Sequence, residues 1–145
     1  LSLLLWLEAP DQGEILGLEG LRKSAVFQED RLCENAGAVS NIRLVNPALT
    51  KGETEGMLRE LGLSDSLRQP VRTLSGGMKR RVAILRALAA DYDVLFCDEP
   101  FKGLDQDTKT LVMGYFVRKT QGKTVILVTH DKSEAQALGG GLLLL

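Results

Sequence analysis

Two adjacent carboxylates, Asp98 and Glu99, follow a short apolar run at residues 94–97. An uninterrupted apolar run of this length is typical of a strand that is buried on both faces of a parallel sheet. Ligands bind at the carboxyl ends of such strands, and carboxylate oxygens suit Mg²⁺, which also takes oxygens from water and substrate phosphates. A second carboxylate beside a metal can polarise an attacking water. The pair therefore indicates metal-assisted phosphate chemistry, and the alternative is two acids that cap a following helix.

Two more polar side chains follow apolar runs in the same way. His130, the only histidine, comes directly after residues 124–129, and Gln28 comes directly after residues 24–27. A lone histidine is more often structural than catalytic. Because the carboxyl ends of parallel strands share one edge of the sheet, His130 is expected beside Asp98, and this place favours a functional role. Gln28 on its own is unremarkable.

A pair of glycines opens the helix that is predicted over residues 75–90. Gly76 and Gly77 follow Ser75, a good capping residue, and each glycine costs about 1 kcal/mol against alanine inside a helix. Residues 79–81 are all basic, although cations near a helix N-terminus cost roughly 0.3–1 kcal/mol each. Both features are explained if a phosphate docks on the free N–H groups. The alternative is a serine N-cap followed by a solvated basic turn.

The periodicity of the chain places these segments in an α/β fold. Strands and helices alternate in the C-terminal part, which favours a parallel sheet with crossover helices, and residues 34–72 show helical spacing only. The helix after Asp105 is expected to bury Leu111, Val112, Tyr115 and Phe116. We predict the tail of a helix at residues 1–7, strands at 14–16, 24–27, 94–97, 124–129 and 142–145, and helices at 75–90, 106–119 and 132–138.

Composition excludes several other classes of protein. The net charge of -1 lacks the basic surplus of nucleic-acid-binding surfaces, so no nucleic-acid partner is expected. The longest apolar runs, residues 3–7 and 142–145, are far shorter than the roughly 20 residues of a membrane span. Cys33 and Cys97 have neither metal-like spacing nor a disulfide framework, which fits a reducing compartment.

Taken in order along the chain, these segments resemble the ATP-binding-cassette (ABC) ATPase family. Leu74-Ser75-Gly76-Gly77-Met78 is similar to the family's LSGGQ signature, with methionine in place of glutamine. Residues 93–99 resemble its Walker B strand and catalytic glutamate. Lys102-Gly103-Leu104-Asp105 lies where the family has its SALD-type D-loop and departs from that pattern at the first two positions. His130 matches the switch histidine and Gln28 the Q-loop glutamine, and the correct order of these motifs argues against a chance match.

The resemblance implies a fold, two cofactors and a set of site residues. Residues 1–145 would form a partial ABC ATPase domain: a parallel-sheet, P-loop-NTPase-like core at residues 1–32 and 91–145, with an inserted helical subdomain at residues 33–90 that carries the signature. The cofactors would be ATP and Mg²⁺. The roles that the motifs carry over are Glu99 as general base and His130 as the second catalytic residue; Gln28, Ser75, Gly76, Gly77, Met78, Asp105 and His130 in nucleotide binding; and Asp98 and Gln28 on Mg²⁺, partly through water.

The resemblance also implies partners and a location. Two ATPase subunits would dimerise head to tail, and the helical segment would contact transmembrane permease subunits, so the protein would be cytoplasmic and peripheral on the inner face of the cell membrane. Residues 28–32 (Gln-Glu-Asp-Arg-Leu) are similar to importers of the nitrate, sulfonate and taurine type. Two alternatives are a degenerate cassette without catalysis and a soluble ABC ATPase of DNA repair or translation. The intact Asp98-Glu99 pair argues against the first, and the absence of a basic surplus or coiled-coil insertion argues against the second.

The family's P-loop, G-x-x-x-x-G-K-[ST], does not occur in these residues. The nearest match starts at Gly17 but has Arg22 where the second glycine must let the backbone curl around phosphate, so we reject it. Residues 10–15 are similar to the stretch that follows the P-loop helix in the family, and the P-loop is therefore expected just before Leu1. We expect the chain alone to bind ATP poorly and not to hydrolyse it, and its sheet to have an unpaired edge.

Overall fold

The fold is a parallel sheet with helices, in a computed structural model that describes residues 2–5 and 7–141. The sheet has three strands in the spatial order β1-β2-β3, and both pairings are parallel. The elements within the described residues are the strands β1 (Lys23–Val26), β2 (Val94–Asp98) and β3 (Thr124–Val128), the helices α1 (Ala38–Arg43), α2 (Lys51–Glu60), α3 (Gly76–Ala89), α4 (Gln106–Lys119) and α5 (Lys132–Leu138), and the 3₁₀ turns Ser64–Ser66 and Val71–Thr73.

Strand β2 lies in the middle of the sheet and is buried almost completely. Leu95, Phe96 and Cys97 are 0% exposed, which is the burial that a continuous apolar run predicts for a central parallel strand. Val26 of β1 lies opposite Cys97, and Val128 of β3 lies opposite Asp98. The three strands therefore end at the same edge of the sheet.

The helices bury one continuous core against this sheet. Ile42, Leu58 and Ile84, from α1, α2 and α3, are each 0% exposed, and burial of a side chain of this size contributes about 1.5–3 kcal/mol. Phe116 of α4 packs edge-to-face on Phe101, with ring centroids 5.5 Å apart. This core fixes α3, which begins with the glycine pair, and α4, which follows the D-loop.

A cluster of charged side chains holds the amino-terminal ends of β1 and β2 together. The Arg22 guanidinium donates to both carboxylate oxygens of Asp93, at 2.7 and 3.0 Å, and also pairs with Asp91. The Asp93 N–H donates to the Arg22 carbonyl oxygen at 2.9 Å. These contacts hold the pKa of Asp93 well below its usual range. They also give Arg22 a structural role, which supports the rejection of the phosphate-loop match that starts at Gly17.

Most predicted elements are confirmed. The parallel α/β fold is correct, and α3, α4 and α5 lie where the sequence predicted them. Caps explain their first residues: the side chains of Ser75, Asp105 and Asp131 each accept a hydrogen bond from the backbone N–H of a residue in the first turn. The segment between β1 and β2 has helices, 3₁₀ turns and an isolated antiparallel bridge between Gly37 and Pro70, but no strand. The strand predicted at 142–145 lies outside the described residues.

Three predictions are wrong. Residues 2–5 form turns rather than the tail of a helix, and residues 14–16 do not form a strand. Gly13 and Gly17 both have a φ of 81°, so the chain turns sharply just before and just after residues 14–16. None of the three strands in the described part of the chain pairs with residues 14–16. Leu111 is 47% exposed, because the buried stripe of α4 is narrower than expected and consists of Val112, Tyr115 and Phe116.

Strand β3 is less buried than β2 and pairs on one side only within residues 2–5 and 7–141. Val128 at its end is 39% exposed. Strand β1 is the other edge strand of the sheet within the described residues, so the unpaired edge that the sequence predicted matches the outer edges of both β1 and β3. Among the helices of the described part of the chain, none has the length and apolar character needed to cross a membrane.

Candidate functional site at the carboxyl edge of the sheet

The register of the sheet brings the polar residues after the three strands to one edge. Asp98 is the last residue of β2 and pairs with Val128 of β3. Gln28 lies two residues after the end of β1, and His130 lies two residues after the end of β3. The prediction that His130 lies at the same edge of the parallel sheet as Asp98 is therefore confirmed for their positions, and Gln28 lies at that edge too.

Glu99 has an unusual backbone and an unsatisfied side chain. Its φ is 47°, in the left-handed region that a residue other than glycine, asparagine or aspartate rarely enters. Its N–H donates to the Val128 carbonyl oxygen at 2.8 Å, which fixes this conformation against β3. The Oε1 atom is buried and has no hydrogen-bond partner among the described residues. A buried carboxylate oxygen without a donor is costly to leave unpaired and marks a place where a ligand or water can bind.

The side chain of His130 lies next to that carboxylate. Its Nε2 atom lies 3.3 Å from Oε1 of Glu99. The two side chains differ sharply in exposure, since the imidazole of His130 is 96% exposed and the side chain of Glu99 is 15% exposed. The imidazole is therefore open to a ligand on one side while it contacts the carboxylate on the other.

Gln28 and Asp98 line one cavity of about 250 Å³ at this edge. Their amide and carboxylate oxygens are ligands that Mg²⁺ accepts. No group of three or more histidine, cysteine or acidic side chains suited to a metal occurs among residues 2–5 and 7–141. This donor set fits Mg²⁺ held by one or two protein oxygens, with water and substrate oxygens completing its coordination.

Glu99 and His130 line a second cavity of about 540 Å³. Lys102, Gly103 and Leu104 of the D-loop form another part of its wall. The site predicted from the sequence is thus divided between two cavities, one with the metal-binding oxygens and one with the carboxylate–imidazole pair.

The residues of the signature do not line either of these cavities. Ser75 caps α3, and its Oγ accepts a hydrogen bond from the Met78 N–H at 3.3 Å. A Cβ built on Gly76 would meet no atom within 4 Å, and one built on Gly77 would make ordinary contacts with the D-loop, 3.6 Å from Leu104. The chain itself therefore does not require glycine at either position. Asp105, the N-cap of α4, is also outside both cavities and accepts bonds from Thr108.

The three basic residues at the start of α3 have structural roles that the sequence did not show. Arg80 is 6% exposed and donates to the carbonyl oxygens of Phe27 and Gln28, both at 2.7 Å. Arg81 donates to the carbonyl oxygen of Leu61 at 2.7 Å, and Lys79 lies 3.8 Å from a carboxylate oxygen of Glu34. The alternative of a solvated basic turn is wrong for Arg80 and Arg81, and because these cations have partners within the chain they do not by themselves indicate the anion site that was expected.

The arginines of α3 hold the segment that contains Gln28. Arg80 also lies 3.2 Å from the carboxylate of Asp30, and Arg86 donates to the carbonyl oxygens of Asp30 and Arg31 at 3.0 and 2.8 Å. Burial raises the pKa of Asp30 despite the nearby cations. Sequence reasoning missed this contribution of Arg80 and Arg86, because the contacts span more than fifty residues of chain.

Comparison with known proteins supports the class of protein that the fold and the site define. A model of the family described as ABC transporter matches residues 1–102. The chain belongs to the ABC transporter family. It is 35% identical to the aliphatic sulfonates import ATP-binding protein SsuB of Cupriavidus necator, over 100% of this chain and 52% of that protein. It is 36% identical to the taurine import ATP-binding protein TauB of Roseobacter denitrificans, over 94% of this chain and 56% of that protein.

A solved structure shows the same fold. The ATP-binding cassette MJ0796, in a dimeric post-hydrolysis state bound to ADP and Pi, superposes with a TM-score of 0.69 and 29% identity, over 80% of this chain and 55% of that chain. The chain spans about half the length of the curated relatives that it matches. The resemblance to sulfonate and taurine importers that residues 28–32 indicated is confirmed.

Proposed function

We propose that this chain is part of the ATP-binding and ATP-hydrolysing subunit of an ABC transporter. The observation that carries the proposal is the meeting of Gln28, Asp98, Glu99 and His130 at the carboxyl edge of the sheet, with Nε2 of His130 3.3 Å from Oε1 of Glu99. One carboxylate for a metal, a second with an unsatisfied oxygen, and an imidazole are the groups that phosphoryl transfer to water requires.

Each of these side chains has a proposed role. Glu99 accepts the proton of the attacking water, because its Oε1 atom has no hydrogen-bond partner among the described residues and the residue lines the second cavity beside His130. His130 donates a hydrogen bond to the phosphate oxygen that gains charge in the transition state. Asp98 and Gln28 hold Mg²⁺, partly through water. When bound, Mg²⁺ neutralises charge on the phosphate oxygens.

The signature residues act on the nucleotide of a second subunit. Ser75, Gly76, Gly77 and Met78 line neither cavity of their own chain, and the open space above Gly76 lets a phosphate approach the N-terminus of α3. Two copies arranged head to tail would place this turn on the partner's nucleotide. Asp105, next to the D-loop residues that line the second cavity, would lie at the interface between the two sites.

The segment at residues 33–90 is the proposed contact with transmembrane permease subunits. Leu44 and Val45, just after α1, are 61% and 42% exposed and form an adjacent apolar pair on this segment. Such a pair suits a partner surface better than water. The protein would then lie on the cytoplasmic face of the membrane, and the names of its relatives make aliphatic sulfonates the proposed cargo.

The substitution Glu99→Gln in the full-length protein tests the catalytic proposal. We expect ATP binding to remain and steady-state turnover to fall at least about a hundredfold, because the amide keeps the shape but cannot accept the proton. Glu60→Gln, on an exposed carboxylate outside both cavities, is the matched control and should keep wild-type turnover. Unchanged turnover in Glu99→Gln would show that Glu99 is not the base.

Two further measurements separate this function from the alternatives. ATP turnover requires a P-loop in addition to these residues, so the 145-residue chain alone should show no micromolar ATP binding by calorimetry. Uptake of radiolabelled taurine by cells should stop when Glu99→Gln replaces the wild type. A full-length protein that binds ATP but never hydrolyses it would make the degenerate cassette the better description.

A further inference from the structure

Lys109, on the first turn of α4, joins two acidic side chains of the segment that contains His130. Its Nζ atom lies 2.6 Å from Oδ2 of Asp131 and 2.6 Å from Oε1 of Glu134. The side chains of Lys109 and Glu134 are only 16% and 4% exposed. The Coulomb attraction in a pair with this little water around it is larger than in a surface pair, and removing one partner leaves the other without compensation.

The same group of side chains holds the residues on both sides of His130. The other carboxylate oxygen of Glu134 accepts a hydrogen bond from the Thr129 hydroxyl at 2.6 Å. The Oγ1 atom of Thr129 in turn accepts from the Asp131 N–H at 3.0 Å. Thr129 and Asp131 are therefore tied to each other and, through Glu134, to Lys109. His130 itself is almost fully exposed, so its direction depends on the backbone that these contacts fix.

Lys109 is also bonded to the D-loop. Its N–H donates to the carbonyl oxygen of Asp105 at 2.8 Å, and the Asp105 side chain caps α4. One residue thus connects the backbone of Asp105 with the segment that carries His130. These charges act on one another: the hydrogen bond from the ammonium of Lys109 lowers the pKa of Asp131, and the hydrogen bonds with the two carboxylates raise the pKa of Lys109.

We propose that Lys109 is a positioning residue that holds the segment at residues 129–131 so that His130 faces Glu99, and that it links the placement of His130 to that of Asp105. The ammonium of Lys109 contacts Asp131 and Glu134 rather than Glu99 or His130. Without its ammonium, the nearly buried Glu134 would lose its cation, and a Glu134 side chain that turned outward would release Thr129. The effect on turnover rests on the proposed ATPase function, but the effect on the direction of His130 does not.

The direction of His130 can be read from its imidazole NMR signal. The chain has one histidine, and in a longer form of the protein His130→Gln would assign the signal. At a pH where the imidazole is neutral, Glu99→Gln should shift this signal in the wild type because the two side chains are in contact. In Lys109→Met the same substitution should produce a shift several times smaller, while in Lys109→Arg the full shift should return.

A matched control separates positioning from loss of stability. Arg118→Met removes another cation from α4, one that pairs with the exposed Glu60, and should leave the effect of Glu99→Gln on the imidazole signal intact. Native circular dichroism of each variant establishes that it is folded. An unchanged effect of Glu99→Gln in folded Lys109→Met overturns the proposal.

Turnover of the full-length protein supplies the second readout. Lys109→Met should lower kcat by roughly ten- to a hundredfold, as expected of a group displaced by about 1 Å, with KM for ATP within about twofold. Lys109→Arg should restore most of kcat. If the wild type itself has no ATPase activity, the proposed function fails while the NMR result still decides the role of Lys109. Equal losses in Lys109→Met and Lys109→Arg would contradict positioning by the cation.

Discussion

The Nε2 atom of His130 lies 3.3 Å from the Oε1 atom of Glu99, although the two residues are thirty-one positions apart in the chain. Their meeting follows from the pairing of β2 with β3 in parallel register, with Asp98 opposite Val128. The backbone N–H of Glu99 donates to the carbonyl oxygen of the same Val128, which holds the Glu99 carboxylate next to the His130 imidazole. The contact is therefore a property of the sheet and is present within a single chain.

The two glycines of the signature should affect stability and activity in opposite directions. Gly76→Ala and Gly77→Ala each add a methyl group that finds open space or ordinary contacts, and alanine is favoured over glycine in a helix by about 0.5–1 kcal/mol. We expect each substitution to leave the free energy of unfolding unchanged or slightly higher. ATPase activity of the full-length protein should nevertheless fall, because the methyl group would occupy the space where phosphate approaches. Lower stability together with normal activity would contradict this view of the glycines.

Arg80→Met should destabilise the protein strongly. The substitution removes two hydrogen bonds to the carbonyl oxygens of Phe27 and Gln28 and the contact with Asp30, all in a largely buried setting. Loss of one partner from a buried ion pair costs about 3–5 kcal/mol. Urea unfolding should show a decrease near this size. Arg118→Met is the exposed counterpart and should cost less than about 1 kcal/mol, so equal effects of the two substitutions would count against a special role of Arg80.

The two cysteines should differ in reactivity towards a thiol reagent. Cys33 is exposed, whereas Cys97 is 0% exposed in β2 and burial raises the pKa of its thiol. Only a thiolate reacts, so a buried thiol with a raised pKa is inert. The folded chain should consume one equivalent of reagent rapidly, and the denatured chain should consume two. Cys33→Ser should abolish the fast reaction, and persistence of that reaction would place the reactive thiol at Cys97.

Asp93 should make stability sensitive to acid. Its hydrogen bonds with Arg22 lower its pKa in the folded state below the unfolded value of about 4. The resulting stabilisation is fully present above pH about 4 and is lost as pH falls through the lower, folded pKa. Between pH 5 and about pH 3, the wild type should therefore lose more of its free energy of unfolding than Asp93→Asn does. Parallel losses in the two proteins, measured by urea titration at each pH, would show that the Arg22 contact does not lower this pKa.

The amino-acid sequence by itself determined the elements and the chemical groups of the site. The apolar runs before Asp98 and His130 predict β2 and β3, because a parallel strand that is buried on both faces has no polar alternation. The capping residues Ser75 and Asp105 predict the first turns of α3 and α4. These signals are local, since each depends on residues within one or two turns of one another. Residues 14–16 show the limit of such signals, because a short apolar run forms a strand only where another strand satisfies its backbone groups.

The tertiary structure alone decided how the basic residues are used and what supports the site. Arg80 and the Q-loop segment are about fifty residues apart, and Lys109 and Glu134 are twenty-five apart in the chain, so no local pattern links them. Burial also decides what a charged side chain contacts. In sequence, Lys79-Arg80-Arg81 is explained by a docked phosphate or by a solvated basic turn, but in the fold Arg80 is 6% exposed and donates to backbone carbonyl oxygens. A side chain's partners depend on which elements pack together, and this packing depends on the whole chain.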